Sequence, residues 1–175
     1  KSKNKKILIT AGPTWVALDN ARVISNIATG ETGILLAEKL LAKGFMVTLL
    51  LGPGEFRCRL NKKIRIIRYR FYSELKEKLI RELKNKKFGR VIHSAAVADY
   101  RPVRAFSKKL KSGIKRLKIE FRPTEKIIDL IKKVSRESRV VGFKYDPDAK
   151  KDKLILDARI LLKRSQADFI VANTN

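Results

Sequence analysis

Short, almost wholly apolar runs alternate along this chain with segments in which apolar residues recur every three or four positions. The run "KKILITAG", which ends at Gly12, has no polar face, as is typical of a strand buried on both sides of a parallel sheet. The segment 33–43 instead carries an apolar stripe at helical spacing, and Gly44 follows where a helix C-terminus favours glycine. This alternation predicts repeated strand and helix units.

The same two patterns continue to the end of the chain. They predict further strands at 45–52, 64–70, 90–96, 114–121, 139–143 and 168–172, of which 114–121 has one polar face and is expected at an edge. They also predict helices that begin at Ser73 and Thr124 as N-caps, and a final helix over 149–163. The sequence therefore predicts an α/β fold with a mostly parallel sheet and helices on both faces, in a three-layer, Rossmann-like arrangement. A length of 175 residues with 44% apolar residues fits a single domain.

Charge raises the question of an anionic partner. The 42 Lys and Arg residues exceed the 17 Asp and Glu residues, and the formal net charge is +25. Because the basic residues occur on nearly every predicted element, a solvated basic surface is favoured over a dedicated nucleic-acid face. A basic nucleotide- or RNA-binding module nevertheless stays open as the alternative.

Cysteine occurs once, at Cys58, so no disulfide can form within the chain. A reducing, cytoplasmic location is expected, and neither a zinc site nor a cysteine nucleophile is supported. The apolar runs are too short to span a bilayer, so we expect no membrane partner.

Ligands of doubly wound sheets bind at the carboxyl ends of the strands, where this chain carries several small and polar residues. Gly30 and Gly33 flank the start of a predicted helix, whose free amides would favour a phosphate, although a loop that serves only the fold is the alternative. Lys109 and Lys111 lie in a loop that could close over a triphosphate, or could be a solvated charge run. His93, inside an apolar strand, is expected to be a satisfied core residue.

Several stretches together resemble phosphopantothenoylcysteine synthetase, the phosphopantothenate–cysteine ligase that often forms the C-terminal domain of a bifunctional coenzyme A biosynthesis flavoprotein. They are, in order along nearly the whole chain, "ILITAGPT", "DNARVISN", "TGETG", "AAVADYRP", the Lys-x-Lys at Lys109 and Lys111, "RPTEKI", "VVGF" and "ADFIVAN".

The resemblance implies a ligase that activates 4'-phosphopantothenate with CTP or ATP, accompanied by Mg2+, and then joins it to L-cysteine. It implies catalytic roles for Asn26 and Lys109, and a substrate phosphate site at Thr29, Gly30 and Gly33, with Asn26 also in contact with the acyl substrate. It implies nucleotide contacts from one further set of residues, namely Ala95, Ala96, Asp99, Lys109, Lys111 and Phe143.

The resemblance also implies a homodimer and association with a phosphopantothenoylcysteine decarboxylase. We expect this single domain, residues 1–175, to lack C-terminal strands and a preceding decarboxylase domain. The sequence departs from the family pattern at Glu31, where a basic residue is usual, and at Lys144, Tyr145 and Asp146, where small residues and a glutamate are usual.

Overall fold

The computed structural model describes residues 5–54 and 60–174. The strands are β1 (Lys6–Ala11), β2 (Trp15–Ala17), β3 (Val23–Ser25), β4 (Met46–Leu51), β5 (Arg65–Arg68), β6 (Arg90–His93), β7 (Tyr100–Pro102), β8 (Phe121–Pro123), β9 (Arg139–Tyr145) and β10 (Phe169–Asn173). The helices are α1 (Glu31–Ala42), α2 (Tyr72–Asn85), α3 (Ile128–Val134) and α4 (Lys151–Ser165).

Six of the strands form one sheet in the order β10-β9-β6-β1-β4-β5, and every neighbouring pair is parallel. Numbered along the chain within this sheet, the order reads 3-2-1-4-5-6 from the β5 edge, which is the order of the doubly wound nucleotide-binding fold. The predicted α/β class with a parallel, Rossmann-like sheet is therefore confirmed.

Helices cover both faces of the sheet, as predicted. Ile7 and Ile9 of β1 point into the cluster that contains α1, whereas Leu8 between them points into the cluster under α2 and α3. This alternation explains why β1 has no polar face, because both of its sides are buried. None of the four described helices has the length and apolar content needed to cross a bilayer.

The predicted edge strand at 114–121 is wrong for all but its last residue. Only Phe121 of that segment is in a strand, and it begins β8, which pairs with β7 in a separate two-stranded ribbon. Ile114 and Leu117 are about half exposed, so the apolar alternation of this segment does not face a core. Alternation alone could not reveal that no sheet surface is available to it.

Both predicted helix caps are also wrong. Helix α2 begins before Ser73, at Tyr72, and the Glu74 carboxylate accepts the N–H of Arg70 instead. Helix α3 begins at Ile128, and Thr124 donates its hydroxyl to the carbonyl oxygen of Ala98. A different local hydrogen bond is therefore found at the start of α2, and a tertiary hydrogen bond engages Thr124 before α3.

A short hairpin interrupts the predicted loop after β1. Strands β2 and β3 pair antiparallel around Asp19, whose carboxylate accepts the backbone N–H groups of Ala21 and Arg22 and the side chain of Arg22. The hairpin ends at Ser25 and so fixes the start of the segment that leads to α1.

Candidate functional site

A cavity of about 960 Å³ opens at the carboxyl ends of the sheet strands, around the point where the strand order reverses between β1 and β6. Its walls are the residues from Asn26 to Gly33, the loop that follows β6, the start of α3, the end of β9 and one side of α4. Doubly wound sheets bind ligands at this position because the loops on either side diverge there.

Two glycines bring the N-terminus of α1 against β1. A Cβ atom on Gly33 would lie 2.4 Å from the Cβ of Ala11 and 2.9 Å from the Oγ of Ser94. Gly30 has a φ of +80°, and a Cβ there would lie 2.9 Å from the backbone nitrogen of Gly12. These contacts place the first turn of α1, with its N–H groups that lack intrahelical partners, at the cavity wall.

Thr29 and Glu31 modify that helix start. The Thr29 hydroxyl accepts the backbone N–H of Glu31 at 3.3 Å, which leaves the amides of the following residues for a ligand. The Glu31 side chain is exposed at the first helical position, on the rim of the cavity. A carboxylate suits the helix dipole there but competes with a bound anion.

Asn26 joins the two principal walls of the cavity. Its Nδ2 donates to the backbone carbonyl oxygen of Val97 at 3.2 Å, so the segment before α1 and the loop after β6 are held together. The structure thus brings Asn26, Thr29, Gly30 and Gly33 together with Ala95, Ala96, Asp99 and Phe143 around one cavity.

The loop after β6 is a rigid platform whose backbone amides are already used. The N–H of Ala95 donates to the Thr10 hydroxyl, that of Ala96 to the Gly12 carbonyl oxygen, and that of Ala98 to the Thr14 hydroxyl. A ligand on this platform can therefore approach the small side chains closely and can bond to carbonyl oxygens, each of which has two lone pairs.

The charged side chains that line the cavity are balanced in number, unlike those of the whole chain. Three are acidic and three are basic, namely Glu31, Asp99, Asp157, Lys126, Lys144 and Arg164. Each cation has an acidic neighbour: Lys126 with Asp99, Lys144 with Asp146 and Asp157, and Arg164 with Asp129. The excess positive charge of the chain is therefore not concentrated in the cavity.

The family of C-terminal domains of DNA/pantothenate metabolism flavoproteins matches residues 2–175. The chain belongs to this family. The resemblance predicted from the sequence is thereby confirmed.

Curated relatives of the chain are longer than it is. The coenzyme A biosynthesis bifunctional protein CoaBC of Thermococcus kodakarensis is 34% identical over 172 residues, which are 98% of this chain and 42% of that protein. A cysteine/cysteine sulfinic acid decarboxylase from an unknown prokaryotic organism is 36% identical over 171 residues, which are 97% of this chain and 46% of that protein. The chain thus spans less than half the length of these relatives.

A solved structure of a family member has the same fold. The crystal structure of the DNA/pantothenate metabolism flavoprotein from Streptococcus pneumoniae superposes with a TM-score of 0.87 at 28% identity, over 97% of this chain and 82% of that one.

Lys109 and Lys111, both predicted from the family pattern, do not line the cavity. They lie exposed on either side of Leu110, whose N–H donates to the Asp19 carboxylate at 3.0 Å and whose carbonyl accepts from Arg22. The Leu110 N–H is the main reason that the pKa of Asp19 falls to about 2. Asp19 thus ties this basic loop to the β2–β3 hairpin.

Sequence reasoning did not select Lys126, Lys144, Asp157 or Arg164 as site residues. Lys126 lies within the quoted "RPTEKI" block, and Lys144 was noted only as a departure from the family pattern, so both carried some signal. Asp157 and Arg164 come from α4, and nothing local marks them as cavity residues.

His93 is a buried residue bonded to Thr10, as expected of a core histidine, but it also lines the cavity. Burial lowers its pKa to about 4.

Within the described ranges, no group of three or more His, Cys, Asp or Glu side chains could hold a metal ion. Mg2+ ordinarily uses one or two carboxylates together with substrate phosphates, so the residues present fit an ion that arrives with a nucleotide. Asp99, half exposed on the cavity rim, is the nearest match to such a carboxylate. Cys58 lies outside the described residues.

Proposed function

We propose that the chain is a nucleotide-dependent ligase of coenzyme A biosynthesis, which joins 4'-phosphopantothenate to L-cysteine through an acyl-nucleotidylate. The observation that carries this proposal is the hydrogen bond from Asn26 to the carbonyl oxygen of Val97. It joins the "DNARVISN" and "AAVADYRP" segments at the point where the strand order of the sheet reverses, in a chain that belongs to the family. The name of the Thermococcus relative, a coenzyme A biosynthesis protein, supports the same pathway.

The proposed ligase reaction has two steps. A carboxylate oxygen of phosphopantothenate attacks the α-phosphorus of CTP, and the bond from that phosphorus to the pyrophosphate oxygen breaks. The cysteine amine then attacks the acyl carbon, loses a proton, and releases CMP. Both steps depend on positioning and charge stabilisation rather than on a protein nucleophile.

The substrate phosphate is assigned to the first turn of α1, beside Thr29, Gly30 and Gly33. Because the Glu31 carboxylate repels an anion, the phosphate would be bound mainly by backbone N–H groups. The nucleotide is assigned to the platform of Ala95 and Ala96.

Asp99 and Phe143 border the nucleotide, and the exocyclic amine of cytosine or adenine would find carbonyl oxygens on the platform. Asn26, next to both assigned places, would hold the acyl group. When Mg2+ is bound with the nucleotide, it neutralises phosphate charge, and Asp99 is the carboxylate that would contact it.

Lys109 does not line the cavity, so its loop must move before Lys109 can contact the nucleotide phosphates. An ammonium group near the phosphates would favour departure of pyrophosphate, and Lys111 would add a second positive charge. Since Leu110 is bonded to Asp19, the loop must leave that carboxylate or carry the hairpin with it. We therefore place loop closure before nucleotidyl transfer in the proposed cycle.

Pyrophosphate release tests the activity directly. The chain is mixed with Mg2+, 4'-phosphopantothenate and CTP, with ATP in a parallel reaction, and L-cysteine is added to half of the samples. Release that depends on phosphopantothenate supports the ligase. No release with either nucleotide would refute it.

Lys109→Gln should slow pyrophosphate release by roughly 100-fold or more, because it removes charge stabilisation at the phosphates. The matched control is Lys108→Gln, which removes an identical charge from the neighbouring position of the same loop. Equal effects of the two variants would mean that the loop contributes only general positive charge.

Asn26→Asp should allow the acyl-nucleotidylate to form but slow its conversion, so that the intermediate accumulates in quenched samples analysed by mass spectrometry. Asn20→Asp adds the same charge in the exposed turn of the hairpin and serves as the control. Wild-type turnover by Asn26→Asp would remove Asn26 from the mechanism.

The net charge of +25 favours a second candidate, a basic nucleotide- or RNA-binding module without ligase activity. Binding through many phosphate contacts would weaken steeply between 50 and 200 mM salt. Tight, sequence-selective RNA binding without pyrophosphate release would favour this module, whereas weak and unselective binding would mark the charge as a solvated surface.

We also propose, from the family resemblance, that the ligase is a homodimer and that it works with a phosphopantothenoylcysteine decarboxylase. The Thermococcus relative is named a bifunctional protein, which supports the second part of this proposal. Light scattering coupled to size-exclusion chromatography measures the oligomeric state.

A further inference from the structure

His93 is a buried residue that lines the cavity, and its ring nitrogen Nε2 has no hydrogen-bond partner among the described residues. The residue is 7% exposed, lies at the carboxyl end of β6, and lines the cavity. Its Nδ1 lies 2.8 Å from the Thr10 hydroxyl oxygen. Among the described residues, every fully buried side-chain nitrogen or oxygen has a partner, so the unpartnered Nε2 must reach open space.

The cavity that His93 lines is the open space assigned to Nε2. His93 and the inward-facing Val91 point to the same side of the sheet, toward the start of α3, where Ile127 and Ile128 are almost completely buried. In register beside His93 stands Gly142, and the space that its Cβ would take is filled by the Cδ1 atoms of Ile128 and Ile170. A lone polar atom on an apolar floor is the usual form of a group that orients a ligand.

Thr10 determines which ring nitrogen of His93 carries the proton. The Thr10 side chain is fully buried, and its oxygen already accepts the N–H of Ala95 at 3.3 Å. Its own hydrogen needs an acceptor, and His93 Nδ1 is the acceptor that the described surroundings of this hydroxyl provide. A neutral ring that accepts at Nδ1 must carry its hydrogen at Nε2.

Burial keeps the ring in that neutral form, since it holds the pKa of His93 near 4. The cations of the cavity are different, because Lys126, Lys144 and Arg164 each lie beside a carboxylate. His93 is therefore a donor that is already desolvated and need not break an ion pair before it binds a ligand.

We infer that His93 is a ligand-binding residue, whose Nε2–H donates a hydrogen bond to an oxygen of the nucleotide held over Ala95 and Ala96. Thr10 is the positioning residue that fixes the tautomer. The inference rests on the proposed function for the identity of the ligand. The acceptor is a phosphate oxygen or an oxygen of the nucleoside, and the two are separated by the probes below.

Nuclear magnetic resonance of 15N-labelled histidine tests the tautomer and the contact, and the chain contains a single histidine, so one set of signals is expected. At pH 7 we expect the pattern of a neutral ring protonated at Nε2. Addition of CTP with Mg2+ should move the Nε2 signal more than the Nδ1 signal. Inorganic triphosphate and cytidine, added separately, show which part of the nucleotide supplies the oxygen.

A ring protonated at Nδ1, or a charged ring at pH 7, would overturn the inference. So would an Nε2 signal that none of the three probes moves at millimolar concentration. Pyrophosphate release is scored separately, so that a nucleotide-dependent shift without ligase activity would refute the proposed function and retain the contact.

His93→Leu should weaken CTP binding by roughly three- to tenfold, the usual effect of one lost hydrogen bond to a ligand, whereas His93→Gln, whose side-chain amide can still donate, should lose less. Thr10→Val should give mixed tautomers and weaker binding, whereas Thr10→Ser, which keeps the hydroxyl, should resemble the wild type in both. Thermal unfolding verifies that each variant folds. Wild-type CTP affinity in folded His93→Leu would overturn the contact, and if that variant does not fold, the Thr10 pair decides.

Discussion

Replacement of Gly33 by alanine should separate α1 from β1. The added Cβ would lie 2.4 Å from the Cβ of Ala11, whereas carbon atoms in contact prefer about 3.5–4.0 Å. Ala11 is fully buried in β1 and has no side-chain torsion that could relieve the overlap. Helix α1 must therefore move outward by about 1 Å, which loosens the packing of Ile34 and Ala37.

The expected change in the free energy of unfolding of Gly33→Ala is the difference of two effects. Overpacking of a rigid site costs up to about 3 kcal/mol, and the better helix propensity of alanine returns about 1 kcal/mol. The free energy of unfolding should thus fall by about 2 kcal/mol, equivalent to a decrease in Tm of roughly 4–8 °C for a chain of this size.

Guanidinium denaturation followed by circular dichroism measures this loss. Thr32→Ala, one position earlier on the exposed side of α1, is the control and should change the free energy of unfolding by less than about 0.5 kcal/mol. A Gly33→Ala variant as stable as the wild type would show that the close approach of α1 to β1 does not require glycine.

Two further predictions concern buried polar groups. Tyr69→Phe removes hydrogen bonds to the carbonyl oxygens of Ala11 and Gly12, but both oxygens keep a backbone N–H donor, so urea denaturation should show a loss of about 1 kcal/mol; a loss above about 3 kcal/mol would contradict this reasoning. The pKa of His93 is about 4 in the folded chain against 6.5 for an ordinary histidine, so between these pH values the unfolded chain binds more protons than the folded chain. The contribution of the neutral ring to the free energy of unfolding is therefore complete above pH 6.5 and is lost as the pH falls toward 4. Between pH 6.5 and 5, above the range in which carboxylates titrate, the wild type should lose about 1.5 kcal/mol in denaturation experiments, and His93→Gln should lose much less; parallel pH profiles would contradict the assignment.

The sequence by itself determined the α/β class and most elements of the sheet. Strands such as β1 and β4 are buried on both faces, so their apolar runs have one physical interpretation, and Gly44 marks the end of α1 through a φ of +80°. The family pattern placed Asn26 and Ala95 in one site, and the structure brings them to the same cavity.

Tertiary structure alone decided how those residues are used. The amides of the loop after β6 are taken by groups from β1 and from the loop that follows it, more than 80 positions away, and no local pattern predicts such pairing. The same holds for the tie between Leu110 and Asp19, which keeps Lys109 outside the cavity. Which nitrogen of His93 carries the proton also depends on Thr10, because the Thr10 hydroxyl donates to Nδ1 and the hydrogen of the neutral ring is then on Nε2.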